Sequence, residues 1–142
     1  MKFDQFSEGQ MYVTKPAVLS REEILDFATK YDPQYFHIDE ERAKKSHFGD
    51  IIAGGAHIIS ILWREWVHLT ILGNDCIAGV GLDEVEFKRP VYPGDEIYAE
   101  VYVHKMTPLH DGKRGILHLK FIGKNQKETT IMSCIFKLMV QR

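Results

Sequence analysis

Apolar residues recur with two different periods along the chain, and the first of these periods is helical. Residues 20–31 ("SREEILDFATKY") place four apolar residues at i, i+3, i+4 and i+7: Ile24, Phe27, Ala28 and Tyr31. Ser20 and Glu23 match a capping box at the start of this segment. Because Pro33 disfavours helical geometry at Asp32, we predict that the helix stops there.

Two further segments have helical patterns. Residues 39–46 ("DEERAKKS") predict a short helix with Asp39 as its N-cap and acidic residues in its first turn. Residues 54–73 ("GGAHIISILWREWVHLTILG") predict a longer helix that runs from a Gly-Gly start to Gly73 as its C′ residue. Apolar residues cover most of its circumference, so we expect this helix to be buried. A thin polar stripe remains, formed by His57, Ser60, Arg64 and His68.

The period then changes to two, which indicates strands. Four segments follow this pattern: residues 77–90, 95–106, 115–126 and 129–140. Pro93-Gly94 suits the centre of a type II turn, and Gly112, Gly123 and Asn125 mark later turns. A long buried helix followed by an antiparallel meander predicts an α+β fold, with the sheet wrapped around a long central helix.

Composition narrows the class of protein. The 142 residues contain no internal repeat or linker, so we predict a single domain spanning 1–142. The net charge is −2 and no basic run is longer than Lys44–Lys45, which gives no support for nucleic-acid binding. Cys76 and Cys134 lie too far apart to suggest metal ligands, and two reduced thiols are the simplest interpretation. With no signal peptide and no apolar run of roughly 20 residues, we expect a cytoplasmic protein without a membrane partner.

Asp32 and His37 are the first candidates for chemistry. In a continuous helix, residues five apart point about 140° from each other, but a chain released by Pro33 can bring the two side chains together. A carboxylate at a helix C-terminus is repelled by the helix dipole, and a residue in a locally unfavourable place is a candidate for function. Two simpler interpretations stay open: Asp-Pro is a common turn dipeptide, and His37 could pair with Asp39 instead.

Gly54 and Gly55 are the second candidates. They precede the buried helix, where free N–H groups and the positive end of the dipole favour an anion or a polarised carbonyl oxygen. Glycine allows such an oxygen to approach the backbone closely, although close helix packing would also explain the two residues. An acid–base pair together with an amide donor is what the addition of water to an activated double bond requires.

Two motifs in this sequence resemble the MaoC-like dehydratases, a family that includes the (R)-specific enoyl-CoA hydratases. The first is "D-P-Q-Y-F-H-I-D-E-x-x-A-x-x-x-x-F-G-x-x-I-x-G-G", and the second is "VEFKRPVYPGDEI". The resemblance implies a hotdog fold, a homodimer or dimer of dimers, and an acyl-CoA or acyl-carrier-protein thioester as substrate. It implies no cofactor other than coenzyme A as part of that substrate.

Residue roles carried over by position complete this hypothesis. Asp32 and His37 match the family's catalytic pair, and Gly55 matches the glycine whose amide binds the thioester oxygen. Gly54 and His57 are further pocket candidates. The resemblance implies reversible hydration of a trans-2-enoyl thioester to the (R)-3-hydroxyacyl thioester, with a choice of base between Asp32 and His37 that stays open.

The sequence departs from the family pattern in two places. Many hydratases place Asn-Pro between the Asp and the His, whereas here Pro33 directly follows Asp32. Trp63 and Trp66 are bulky where those enzymes carry small or hydroxyl residues, which hints at a short or unusual acyl group. Four basic residues could contact the phosphates of coenzyme A, but scattered surface lysines are the commoner case and none is assigned: Lys44, Lys45, Lys88 and Arg89.

Three other interpretations compete with hydration: a metal site, a thioesterase and a binding subunit. His37, His47 and His57 follow a ten-residue spacing that matches no ligand pattern, and His57 and His68 lie about 16 Å apart along a helix axis, so no metal site is predicted. A hotdog acyl-CoA thioesterase is the second hypothesis. A non-catalytic acyl-CoA-binding subunit is the third, and an intact acid–base pair argues weakly against it.

Overall fold

Six strands form one antiparallel sheet in the computed structural model, which describes all residues from 1 to 142. The strands are β1 Met11–Val13, β2 Ala17–Val18, β3 Cys76–Phe87, β4 Glu96–Pro108, β5 Arg114–Asn125 and β6 Thr130–Gln141. Their order is β1-β4-β5-β6-β3, and β2 also pairs with β4. Strands β4, β5 and β6 confirm the predicted meander, whereas β3 pairs with β6 at the far edge of the sheet rather than with β4, the next strand in sequence. The sequence pattern missed β1 and β2, because two or three residues are too few to show a period.

Four α-helices lie between β2 and β3: α1 Arg21–Tyr31, α2 Tyr35–Ile38, α3 Glu40–Lys44 and α4 Gly55–His68. Helix α4 is buried along one side and packs on the concave face of the sheet, against strand residues such as Val101 and Phe121. This arrangement is the α+β hotdog fold, with the antiparallel sheet wrapped around a long helix. None of the helices combines the length and the apolar character that crossing a membrane requires.

The alternation in β4 explains how the sheet holds the helix. Its inward residues are almost fully buried, namely Ile97, Ala99, Val101 and Val103. In β5 the inward position 123 is glycine, where an added Cβ would lie 2.8 Å from both Leu62 Cδ1 and Met132 Cγ. The prediction of a turn at Gly123 was therefore wrong. Gly123 lies inside a strand because α4 packs too closely on the sheet for a side chain there.

The predicted helix caps and turns are mostly confirmed. Ser20 Oγ accepts a hydrogen bond from Glu23 N at 3.1 Å, and α1 ends at Tyr31 with Asp32 as its C-cap. Asp39 caps α3 by accepting from Arg42 N at 3.1 Å. Gly94 adopts a φ of +87°, and the amide of the following residue donates to the carbonyl three residues back at 3.0 Å, as a type II turn requires.

The C-terminal end of α4 differs from the prediction. The helix ends at His68 rather than continuing to Gly73. Thr70 has a φ of +56° and donates its amide to Val67 O at 3.0 Å, so it occupies the left-handed position after the C-cap Leu69. The pattern was misleading because the apolar residues continue past the helix end, and one of them, Leu72, is buried in the core.

An ion-pair cluster fixes the start of α1 to the segment that leads into α4. The Arg21 guanidinium donates to both carboxylate oxygens of Asp50 at 2.8 Å and to Glu40 at 2.9 Å. These bonds lower the pKa of Asp50 to about 2. The cluster thereby connects the two ends of the stretch from α1 to α4. Asp32 and His37 both lie within this stretch.

Strand β3 lies at one edge of the sheet and is exposed along most of its length. Its exposed side chains include five large apolar residues: Ile77, Val80, Leu82, Val85 and Phe87. The outer side of this strand has no partner strand within the chain. An apolar edge of this kind is a common site of strand pairing between protein chains.

Candidate active site

The structure brings Asp32 and His37 together. His37 Nε2 lies 3.3 Å from Asp32 Oδ2, with the imidazole buried and the carboxylate partly exposed. Pro33 ends α1 and the chain then forms the single turn α2, which carries His37 on its third residue. The sequence did not predict this turn. Asp39 does not compete for the histidine, because its carboxylate caps α3.

The orientation of the His37 ring is fixed from its other side. His37 Nδ1 lies 2.5 Å from the carbonyl oxygen of Ile52, and a carbonyl can only accept, so Nδ1 carries a proton. The other ring nitrogen, Nε2, therefore faces Asp32. Asp32 is held in turn by Gln34, whose side-chain amide donates to Oδ1 at 3.0 Å. This leaves Asp32 Oδ2 and His37 Nε2 as two adjacent groups that can exchange a proton with a water molecule.

Gly54 lies directly beside the pair. An added Cβ at this position would be 3.2 Å from Asp32 Oδ2 and 3.9 Å from His37 Nε2. Gly54 is the N-cap of α4 and has an ordinary extended backbone, so it does not need glycine for its conformation. A side chain at this position would instead crowd both titratable groups, which glycine leaves uncovered on this side.

Gly55 begins α4 and has a different neighbour. An added Cβ there would overlap the ring of Phe87, which packs against the glycine. The packing interpretation considered from the sequence therefore applies to Gly55. Its amide belongs to the first turn of α4, where N–H groups have no partner four residues back and the helix dipole is positive. Gly55 therefore both packs closely on Phe87 and carries an amide in the first turn of α4.

A cavity of about 310 Å³ lies beside this pair, with His37 and Gly55 in its wall. Most of the remaining wall is apolar, including Ile52, Ile58, Phe87 and Val91. Lys88 and Arg89 are its basic residues. The stretch from Phe87 to Val91 belongs to the second sequence motif, so the two motifs meet at one cavity. Neither Ile52 nor Phe87 was assigned a role from the sequence, although both lie within the quoted motifs.

His57 lies in a different cleft from His37. Its ring stacks on Phe27 of α1, with a centroid distance of 4.4 Å and an angle of 8°. This cleft of about 460 Å³ between α1 and α4 also includes Glu23 and Arg64. His57 Nδ1 is buried without a hydrogen-bond partner. Burial lowers the pKa of His57, and this effect is larger than the opposing effect of Glu23.

The two tryptophans of α4 also lie away from the cavity that holds His37. Trp63 packs on Phe136 with ring centroids 4.7 Å apart, and Trp66 makes an edge contact with Tyr12 at 5.7 Å. Neither residue contributes to the cavity wall. The hint of a short acyl group that rested on their size is therefore not supported. No group of three or more His, Cys, Asp or Glu side chains is placed to hold a metal ion.

Comparison with known proteins gives a consistent result. The family model described as "MaoC like domain" matches residues 4–125. The chain is 37% identical over 142 residues to the uncharacterized protein YdeM of Bacillus subtilis, which covers 100% of both proteins. It is 34% identical over 83 residues to 3-hydroxyacyl-thioester dehydratase Z of Mycobacterium tuberculosis, covering 57% of this chain and 55% of the relative. The solved MaoC-like dehydratase of Rhodospirillum rubrum superposes with a TM-score of 0.91 at 30% identity, covering 100% of this chain and 97% of that one.

The buried His57 predicts a specific dependence of stability on pH. A histidine whose pKa is lower in the folded state stabilises the fold fully above its unfolded value of 6.5, and this contribution falls as the pH decreases below that value. Between about pH 7.5 and about pH 5.5, the free energy of unfolding should decrease more for the wild type than for His57→Phe, which keeps a ring against Phe27. Urea titrations at both pH values measure this difference. His110→Phe, at an exposed position, is the control, and equal pH dependence in wild type and His57→Phe would contradict the prediction.

Proposed function

The chain belongs to the MaoC-like domain family, and we propose that it is a hydratase that interconverts a trans-2-enoyl thioester and a (R)-3-hydroxyacyl thioester. The observation that carries this proposal is the contact of 3.3 Å between His37 Nε2 and Asp32 Oδ2, at a cavity that also exposes the start of α4. The match to a 3-hydroxyacyl-thioester dehydratase supports the same substrate class. The carrier of the acyl group would be coenzyme A or an acyl-carrier protein.

The proposed reaction uses a water molecule in the space beside Gly54. Asp32 Oδ2 and His37 Nε2 hold the water, and one of the two groups removes a proton as the oxygen bonds to the β-carbon. The electrons of the double bond move toward the thioester oxygen, and a proton is returned to the α-carbon. Acid–base groups positioned in this way contribute about 10²–10⁴-fold to a rate. Either of the two groups can serve as the base.

The first turn of α4 would stabilise the negative charge that develops on the thioester oxygen. The Gly55 amide is the proposed donor, since it lies in the wall of the same cavity as His37. The helix dipole favours negative charge at this end of α4. Removal of one such donor from other enzymes costs about 3 kcal/mol of transition-state stabilisation.

The test of this proposal is incubation with crotonyl-CoA. Loss of the conjugated absorbance without release of free thiol would support hydration. Asp32→Asn and His37→Asn should each reduce turnover by about 10²-fold or more, since each removes one acid–base group. The asparagine at position 37 can still donate to Ile52 O, so the unfolding temperature should change little.

Three results would contradict the assignment. Release of free thiol would favour the thioesterase hypothesis, and an unchanged spectrum would favour a subunit that only binds acyl-CoA. Wild-type turnover in Asp32→Asn or His37→Asn would remove these residues from the site. Asp26→Asn, which neutralises an exposed carboxylate on the same helix α1, is the matched control and should keep full activity.

Alanine substitutions at the two neighbouring glycines should differ in their effects, one mainly on kcat and the other mainly on the free energy of unfolding. Gly54→Ala places a methyl group beside Asp32 and His37, so we expect a large fall in kcat with an unfolding free energy lowered by no more than about 1 kcal/mol. Gly55→Ala overlaps Phe87, so we expect it to destabilise the fold by about 1–3 kcal/mol. Adding Phe87→Ala to Gly55→Ala should restore much of that stability. Equal effects of the two alanines on stability and on kcat would contradict the assignment of separate roles.

We also propose that the protein forms a homodimer through β3. The exposed apolar side chains and the free edge of this strand support pairing with β3 of a second copy. Sedimentation equilibrium should give twice the chain mass of 16.4 kDa for the wild type. Val80→Lys, which places a charge on this edge, should shift the protein toward the monomer. Val18→Lys, at an equally exposed position on β2, should not, and a wild-type monomer would contradict the proposal.

A further inference from the structure

Arg89 is a basic residue in the wall of the cavity and has no acidic partner. Its side chain is exposed, it contributes to the same cavity wall as His37 and Gly55, and it forms no ion pair within 4.0 Å. Its neighbour Lys88 differs, because Lys88 Nζ is bound to Glu86 at 2.9 Å. Of the two basic residues in this wall, only Arg89 has its charge available for a ligand.

The backbone holds Arg89 in a defined position. The amides of Lys88 and Arg89 both donate to the carbonyl of Ile131, at 2.7 and 3.2 Å, and this anchors the end of β3 to β6. Arg89 follows Phe87, whose ring packs on Gly55, by only two residues. A thioester with its oxygen at the Gly55 amide would therefore occupy a cavity whose wall also includes Arg89.

We propose that Arg89 binds a phosphate group of the phosphopantetheine arm that carries the acyl group. This inference rests on the proposed function, since it takes the acyl thioester as substrate. Guanidinium groups bind phosphate through two parallel hydrogen bonds and keep their charge at all relevant pH values. The net charge of the chain is −2, so the whole molecule supplies no general attraction for an anion, and electrostatic attraction for a phosphate would come from local cations such as Arg89.

The experiment compares crotonyl thioesters that differ only in phosphate. Crotonyl-pantetheine has none, crotonyl-4′-phosphopantetheine has the phosphate that coenzyme A and acyl-carrier proteins share, and crotonyl-CoA adds the nucleotide phosphates. Arg89→Gln should raise KM for the phosphate-bearing substrates about fivefold, with kcat unchanged, because an exposed ion pair is lost. The same variant should leave KM for crotonyl-pantetheine at the wild-type value.

Two controls and one binding measurement complete the test. Lys127→Gln removes one exposed positive charge at the turn between β5 and β6 and should leave every KM unchanged. Arg89→Lys should recover part of the lost affinity. Calorimetric titration with free coenzyme A reports the contact without any turnover, and Arg89→Gln should weaken this binding by a similar factor.

The outcomes separate this inference from the proposed hydratase activity. If the wild type hydrates no thioester but Arg89→Gln weakens coenzyme A binding, the proposed function fails and the phosphate contact stands. An effect confined to crotonyl-CoA would overturn the contact with the phosphopantetheine arm and assign Arg89 to the nucleotide phosphates instead. An equal loss with crotonyl-pantetheine, or no loss with any substrate, would overturn the role of Arg89.

Discussion

The candidate site depends on the hydrogen bond from His37 Nδ1 to the carbonyl oxygen of Ile52. This bond spans from the turn α2 to the segment that enters α4, and it sets which nitrogen of the ring faces Asp32. If the ring were free to turn, the contact of 3.3 Å with Asp32 would be one arrangement among several. The Ile52 amide in turn donates to Phe36 O at 3.0 Å. The backbone is therefore held on both sides of the ring. The proposed chemistry therefore relies on backbone contacts that sequence motifs do not display.

The sequence predicted the large elements because their signals are long. The helical period of α1, the apolar circumference of α4 and the alternation in β4 each extend over ten residues or more, and the resulting α+β architecture is correct. The bend at Pro33 was also correct, since proline restricts the backbone whatever surrounds it. These features are local, and local chemistry is sufficient to specify them. The bend was sufficient to predict that Asp32 and His37 could come together. It could not predict the distance between their side chains.

The features that the sequence did not reveal depend on tertiary contacts. Helix α2 is a single turn and has no period, and Gly123 resembles a turn residue until the close packing of Leu62 is known. His57 and His37 are both buried histidines near glycines, yet they face different cavities because they lie on different elements. Gly54 and Gly55 are adjacent in sequence and have unlike neighbours in space. Only the three-dimensional structure distinguishes a glycine beside Asp32 and His37 from one that packs against Phe87.

A structure with bound substrate tests the central claim most directly. The claim is that one water molecule, held by Asp32 and His37, faces the β-carbon of a thioester whose oxygen meets the first turn of α4. A crystal of the Asp32→Asn variant with crotonyl-CoA should show the thioester oxygen within hydrogen-bonding distance of the Gly55 amide and the β-carbon beside His37. An acyl group bound in the cleft of His57, or a thioester oxygen directed away from α4, would contradict the account.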